Sequence, residues 1–200
     1  EKSLRREAIF VFGQFSTERK IASFLAMTDI VAYNVKKYSM TTADAFLEIV
    51  QHPLKFRLFL LKKLPSAFFS GVRIHYADES KTVVTVPYKW FSTNPFRSTY
   101  FACLSMAAEM STGILAMAHT WKKQPGISML VVKLEAQFVK KATGLTSFTC
   151  EDGLLIQQAV KESASSGKGT IVTARSVGRD KNGDIIAEFN ITWSFKAKAS

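Results

Sequence analysis

From about residue 40 onward the sequence predicts an α+β domain in which a curved antiparallel sheet wraps one long central helix. Three observations carry this. Runs of strict apolar/polar alternation occur in pairs separated by turn residues, the mark of antiparallel strands with one buried face. Between two such sets lies a stretch, residues 98–121, that is apolar on nearly every side, as a helix buried all round must be. A content of 47% hydrophobic and 22% charged residues supplies a real core and excludes disorder.

The elements follow in order. Residues 1–39 mix short apolar bursts with charge and hold no sustained period, so they read as an N-terminal extension with no fold of its own, dispensable to the domain at 40–200. Met40-Thr41-Thr42-Ala43-Asp44 places a hydroxyl N-cap ahead of a helix over Thr42–Gln51, stopped at His52-Pro53. Residues 54–64 form a second helix, with Lys55, Arg57, Lys62 and Lys63 as its only charges. A basic membrane-surface helix would look similar, but apolar residues lie on most of its circumference, which favours packing against the domain. Val72, Ile74 and Tyr76 alternate outward, Asp78 to Lys81 turns, and Val84, Val86, Tyr88 and Trp90 alternate back. After the long helix, Leu130, Val132, Leu134, Ala136 and Phe138 share one strand face. A strand at Thr146–Cys150, a helix at 154–165 and a hairpin pairing 171–177 with 185–195 through Asp180-Lys181-Asn182-Gly183-Asp184 complete the chain.

Charge and motifs narrow the function. The net charge of +11 is scattered, with no basic run longer than two, and no zinc-finger or RNA-binding signature accompanies it, so nucleic acid is not expected. An anionic small molecule suits such a surface equally well. Two cysteines without a motif suggest a reducing, cytoplasmic setting. Three dispersed histidines offer no metal-ligand spacing, and no metal is expected. Residues 98–121 could span a membrane by length, but Glu109 at mid-span and six Ser and Thr residues argue for a helix inside protein, with no stable membrane insertion.

That helix holds the one unusual feature. Glu109 is the only acid between Glu79 and Glu135, among Met106, Ala107, Ala108 and Met110. At 100° per residue, Ser98, Ser105, Glu109, Thr112 and His119 fall on one stripe. The stripe either touches solvent or an ion-pair partner, or lines a site around a partly desolvated, more basic carboxylate.

The stretch Pro87-Tyr88-Lys89-Trp90-Phe91-Ser92-Thr93-Asn94-Pro95 ahead of the helix, and the strand Lys133-Leu134-Glu135-Ala136-Gln137-Phe138-Val139-Lys140-Lys141-Ala142-Thr143-Gly144, resemble the hotdog-fold thioesterases of the phenylacetic-acid-pathway type and their uncharacterised bacterial relatives. The resemblance covers about residues 42–196. It implies a hotdog fold with N-terminal helices and hydrolysis of an acyl thioester, acyl-CoA in class, with coenzyme A as part of the substrate and no cofactor. In the family an Asn precedes the helix and a carboxylate follows about fifteen residues later, the relation of Asn94 to Glu109. Glu109 would then be general base or nucleophile, the Phe101 N–H would polarise the carbonyl and Asn94 would orient it or the water. Ser105 and Thr112 on the stripe would line the substrate site, and Lys140 and Lys141 would meet CoA phosphates. The family builds its site between two subunits, which implies a homodimer or tetramer with Ser128 or a neighbour arriving from the partner. Many active members carry a His-Gly-Gly type turn where this chain has Tyr100-Phe101-Ala102, and a bulky side chain there reshapes the acyl pocket. That departure favours the alternative of a non-catalytic hotdog domain binding acyl-CoA or a lipid. A hydratase on the same fold usually pairs His with a carboxylate, and no His lies near Asn94.

Overall fold

The computed structural model describes residues 41–198; the extension expected at 1–39 lies outside the described residues. The first helix, α1 (Thr42–Gln51), opens on a reciprocal cap: Thr41 Oγ1 accepts from the Asp44 N–H and the Asp44 carboxylate accepts from the Thr41 N–H. Helix α2 (Pro53–Lys63) starts with Pro at its first position, where no N–H is needed. Only Phe56 and Leu60 of α2 are buried, so the expectation that its apolar circumference packs on the domain holds for one side alone. A short helix not anticipated from the sequence, α3 (Pro65–Phe69), follows.

The sheet has six antiparallel strands in the order β1-β2-β4-β5-β6-β3. They are β1 (Arg73–Ala77), β2 (Thr82–Val86), β3 (Ile127–Phe138), β4 (Thr146–Cys150), β5 (Thr170–Arg179) and β6 (Ile185–Ala197). Helix α4 (Phe101–Thr120) lies between β2 and β3 in the chain and packs across the sheet, while α5 (Gly153–Ser166) covers α4 and β5. Phe148, Phe189, Phe195, Leu115 and Ile191 are fully enclosed between them. Both cysteines, Cys103 on α4 and Cys150 on β4, are reduced and buried, and burial pushes the Cys150 thiol up to about 12. Small residues on α4 (Ala107, Ala108, Gly113, Ala116) bring its backbone close to the sheet. Polar pins then fix its rotation: Ser111 Oγ lies 2.8 Å from Ser176 Oγ, Thr82 Oγ1 donates to the Ser111 carbonyl, and Trp193 Nε1 donates to Thr112 Oγ1 at 3.0 Å.

Three strand readings are corrected. The second strand ends at Val86 because Pro87 cannot donate to a ladder, and Trp90–Ser92 turns as a 3-10 helix instead of continuing the alternation through Tyr88 and Trp90. In β1 the register shifts between Ile74 and Tyr76, so Tyr76 faces out and Ala77 faces in. In β3 it shifts between Val131 and Lys133: Val131 pairs with Trp193 and Lys133 with Thr192, leaving Val132 unpaired. Leu130, opposite Ser194, therefore lies on the other face from Leu134, opposite Ile191, and the five apolar residues do not share one face.

One position has no room at all. A Cβ on Gly153, at the start of α5, would meet the Glu79 carbonyl oxygen at 2.2 Å and Ser80 backbone atoms at 2.6–2.7 Å. These atoms belong to main chain and cannot swing aside. Gly153→Ala is expected to destabilise the protein by about 1–3 kcal/mol, measured as a drop in the urea midpoint.

Candidate functional site

Helix α4 begins without a side-chain cap. Tyr100 offers none, its carbonyl accepts from the Cys103 and Leu104 N–H groups, and the N–H groups of Phe101 and Ala102 find no acceptor among the described residues. Free donors at the positive end of a 20-residue helix form a natural seat for a polarised oxygen. Beside this end of the helix lies a cavity of about 580 Å³ whose walls include Asn94, Phe96, Phe101, Phe138 and Lys141. The walls come together because the segment before α4 is tied to the one after β3: the N–H and Oγ1 of Thr99 both donate to the Ala142 carbonyl, at 2.7 and 3.2 Å. Phe101 stands edge-on to Tyr100 and Phe138 at the rim, with ring centroids 4.9 and 6.3 Å away.

Of the residues singled out in the sequence, Asn94, Ser98, Phe101, Lys140 and Lys141 meet at this cavity. The Asn94 side-chain oxygen accepts from the N–H groups of Phe96 and Ser98 and from Ser98 Oγ, which builds the turn leading into α4 and leaves its amide group as the part able to face a ligand. Lys140 Nζ is held by Asp184 at 2.7 Å and Asp180 at 3.0 Å, so its charge is largely spent on the β5–β6 hairpin. Lys141 has no ion-pair partner among the described residues and is exposed.

The polar stripe on α4 does not act as a unit. Ser105 Oγ donates to the Phe101 carbonyl, Thr112 Oγ1 to the Glu109 carbonyl, and His119 Nε2 pairs with the Glu79 carbonyl at 3.0 Å in a setting where burial lowers its pKa. Glu109 differs: no hydrogen bond or ion pair reaches its carboxylate among the described residues, and burial pushes its pKa above the ordinary glutamate value. It lies eight residues along α4 from Phe101, about 12 Å by helical rise, outside the cavity of its own chain. Ser128, exposed and opposite Lys196, sits at the end of β3 remote from Phe138 and the cavity. Phe96, Leu104 and Phe138 were not picked out as site residues from the sequence, although Phe138 stood within the strand that carried the resemblance; Phe96 is 73% exposed in the structure.

No protein-family model matches the sequence, and no curated protein matches it. Solved structures do. A Pseudomonas aeruginosa protein of unknown function, described as a probable thioesterase, is 18% identical with a TM-score of 0.62, over 75% of this chain and 99% of that one. A Chlorobaculum tepidum protein of unknown function is 14% identical with a TM-score of 0.60, over 73% and 97%. A Haemophilus influenzae thioesterase is 14% identical with a TM-score of 0.50, over 70% and 88%. The chain has the hotdog fold these structures share.

The unpaired state of Glu109 has a measurable consequence. A carboxyl whose folded pKa is raised binds more protons in the native state than in the unfolded one, so it costs stability as pH rises from the normal glutamate range through the raised value. Glu109→Gln removes that term. The variant is expected to equal the parent near pH 4 and to exceed it at pH 7, read from urea unfolding at both pH values.

Proposed function

We propose that this protein hydrolyses an acyl thioester, acyl-CoA in class, at a site shared between two copies of the chain. One observation carries the reading most: a partly desolvated carboxylate with no partner among the described residues sits on the same helix whose N-terminus, without a side-chain cap, lies beside an apolar cavity. The likeness in fold to proteins named thioesterases supports it. The acyl chain lies against Phe96, Phe101 and Phe138, and the thioester carbonyl points at the Phe101 and Ala102 N–H groups, which stabilise the developing oxyanion. The Asn94 amide orients the carbonyl or the water, and Lys141 meets phosphate oxygens of the coenzyme.

A single chain does not bring Glu109 within the roughly 3 Å reach that proton transfer needs. A second copy supplies it. Strand β3 is a 12-residue edge of the sheet, paired only with β6 among the described residues, with Leu130 and Val132 exposed. Such an edge invites another strand. A two-fold contact across it is antiparallel, which sets Ser128 of the partner subunit beside Phe138 and the cavity. Glu109 of the partner subunit then removes a proton from water as the oxygen attacks the carbonyl carbon. The tetrahedral intermediate collapses with loss of the C–S bond, and the thiolate takes the proton back from the glutamate; direct attack by the carboxylate followed by hydrolysis is the other route.

A panel of acyl-CoAs is expected to yield free thiol with the parent, and Glu109→Gln is expected to lose on the order of 10²–10⁴ in rate without a fall in melting temperature. Unchanged activity in that variant would remove Glu109 from the mechanism. Light scattering at micromolar protein is expected to give a dimer or a higher even-numbered oligomer, and a stable monomer would sink the shared site.

A further inference from the structure

The outward side of α2 combines exposed leucines with lysines and no acid. At 100° per residue Leu54, Leu58 and Leu61 form a stripe opposite the buried Phe56 and Leu60, and they are 65%, 58% and 43% exposed. Lys55 and Lys62 flank the stripe on one side, exposed and without ion-pair partners among the described residues, with Lys63 beyond them. The helix contains no acid. On the other flank the Arg57 guanidinium lies 3.8 Å from the ring centroid of Phe68 in α3. From there a chain of aromatic contacts continues: Phe68 to Phe69 at 5.3 Å, Phe69 to Phe91 at 5.3 Å, Phe91 to Trp90 at 4.7 Å. Trp90 is 79% exposed. Leucines and aromatics are thus presented outward together with lysines that have no ion-pair partner among the described residues, a costly surface for a protein that meets only water.

We infer that this face, α2 with the Phe69–Phe91–Trp90 cluster, docks the protein on an anionic lipid surface without crossing it. The chemistry matches on both counts. A helix lying in the plane of the interface buries leucines below the headgroups and holds lysines at their level, and tryptophan favours that same depth. A second copy of the chain fits the face poorly, because a two-fold contact brings the acid-free, lysine-bearing helix of one copy against the same helix of the other, with no carboxylate on α2 to offset Lys55, Lys62 and Lys63. Nucleic acid would use the lysines and leave the leucine stripe in water.

The full chain is tested by co-sedimentation with vesicles of phosphatidylcholine alone and of phosphatidylcholine mixed with phosphatidylglycerol. Binding is expected to the mixed vesicles only, weakening as salt is raised, with a blue shift in tryptophan emission that Trp90→Phe abolishes. Lys55→Ala and Lys62→Ala are each expected to lower the partition coefficient about fivefold, and Leu58→Asp to abolish binding, all with unchanged melting temperature. Absence of binding to the mixed vesicles overturns the inference. So does binding that none of these substitutions alters. A dimer that Leu58→Asp dissolves, with no vesicle binding by the parent, assigns the face to a second copy instead.

Discussion

A helix that is apolar on nearly all sides can exist in water only if something encloses it, and the rest of this fold answers to that constraint. Helix α4 has buried residues around most of its circumference, from Cys103 to His119. A flat sheet covers one face of a helix; enclosing more of it takes curvature, and the three register shifts, in β1, in β3 and at the hairpin end of the β5–β6 pair, are devices that bend and twist strands. The remaining side is closed by α5 and, near its ends, by α1 and α3. Where polar groups fall inside, they are spent on fixing the helix against the sheet, through Ser111, Thr112 and their partners on β5 and β6.

Seen this way, Glu109 is the exception that gives the helix chemical interest. Ser98, expected on this stripe, lies in the turn before α4 instead, and every other polar side chain of the stripe, Ser105, Thr112 and His119, is committed to a bond within the fold. A carboxylate that is partly desolvated and unbonded among the described residues costs stability at neutral pH. Such costs concentrate where chemistry happens.

The sequence made much of this legible, for reasons that differ by element. Thr42–Gln51 and Thr146–Cys150 match residue for residue: a hydroxyl N-cap and His52-Pro53 bound the first, and the second is a short segment rich in Thr, Phe and Cys whose buried side alternates in the structure. The bulges at His75 and Val132 were invisible because an extra residue in one strand is defined only against its neighbour, and alternation read along one strand assumes there is none. The cavity was half visible. Asn94 and Lys141 could each be suspected, but their meeting depends on Thr99 reaching the Ala142 carbonyl, a tie between segments 43 residues apart. The angular position of the α4 stripe was readable from Ser105 onward, while the long-range commitments of Thr112 to Trp193 on the sheet and of His119 to the Glu79 carbonyl in the β1–β2 turn were not, since those partners lie far away in sequence.

The burial of Cys103 and Cys150 gives the molecule a further property. With one thiol under α4, the other inside β4, and the latter's ionisation pushed up to about 12, almost no nucleophilic thiolate is offered while the core is closed. The folded protein should therefore be silent toward disulfide reagents that report a released thiol. Only when helix and sheet part do both sulfurs come into view, so their labelling rate is a clock for the opening of the core itself.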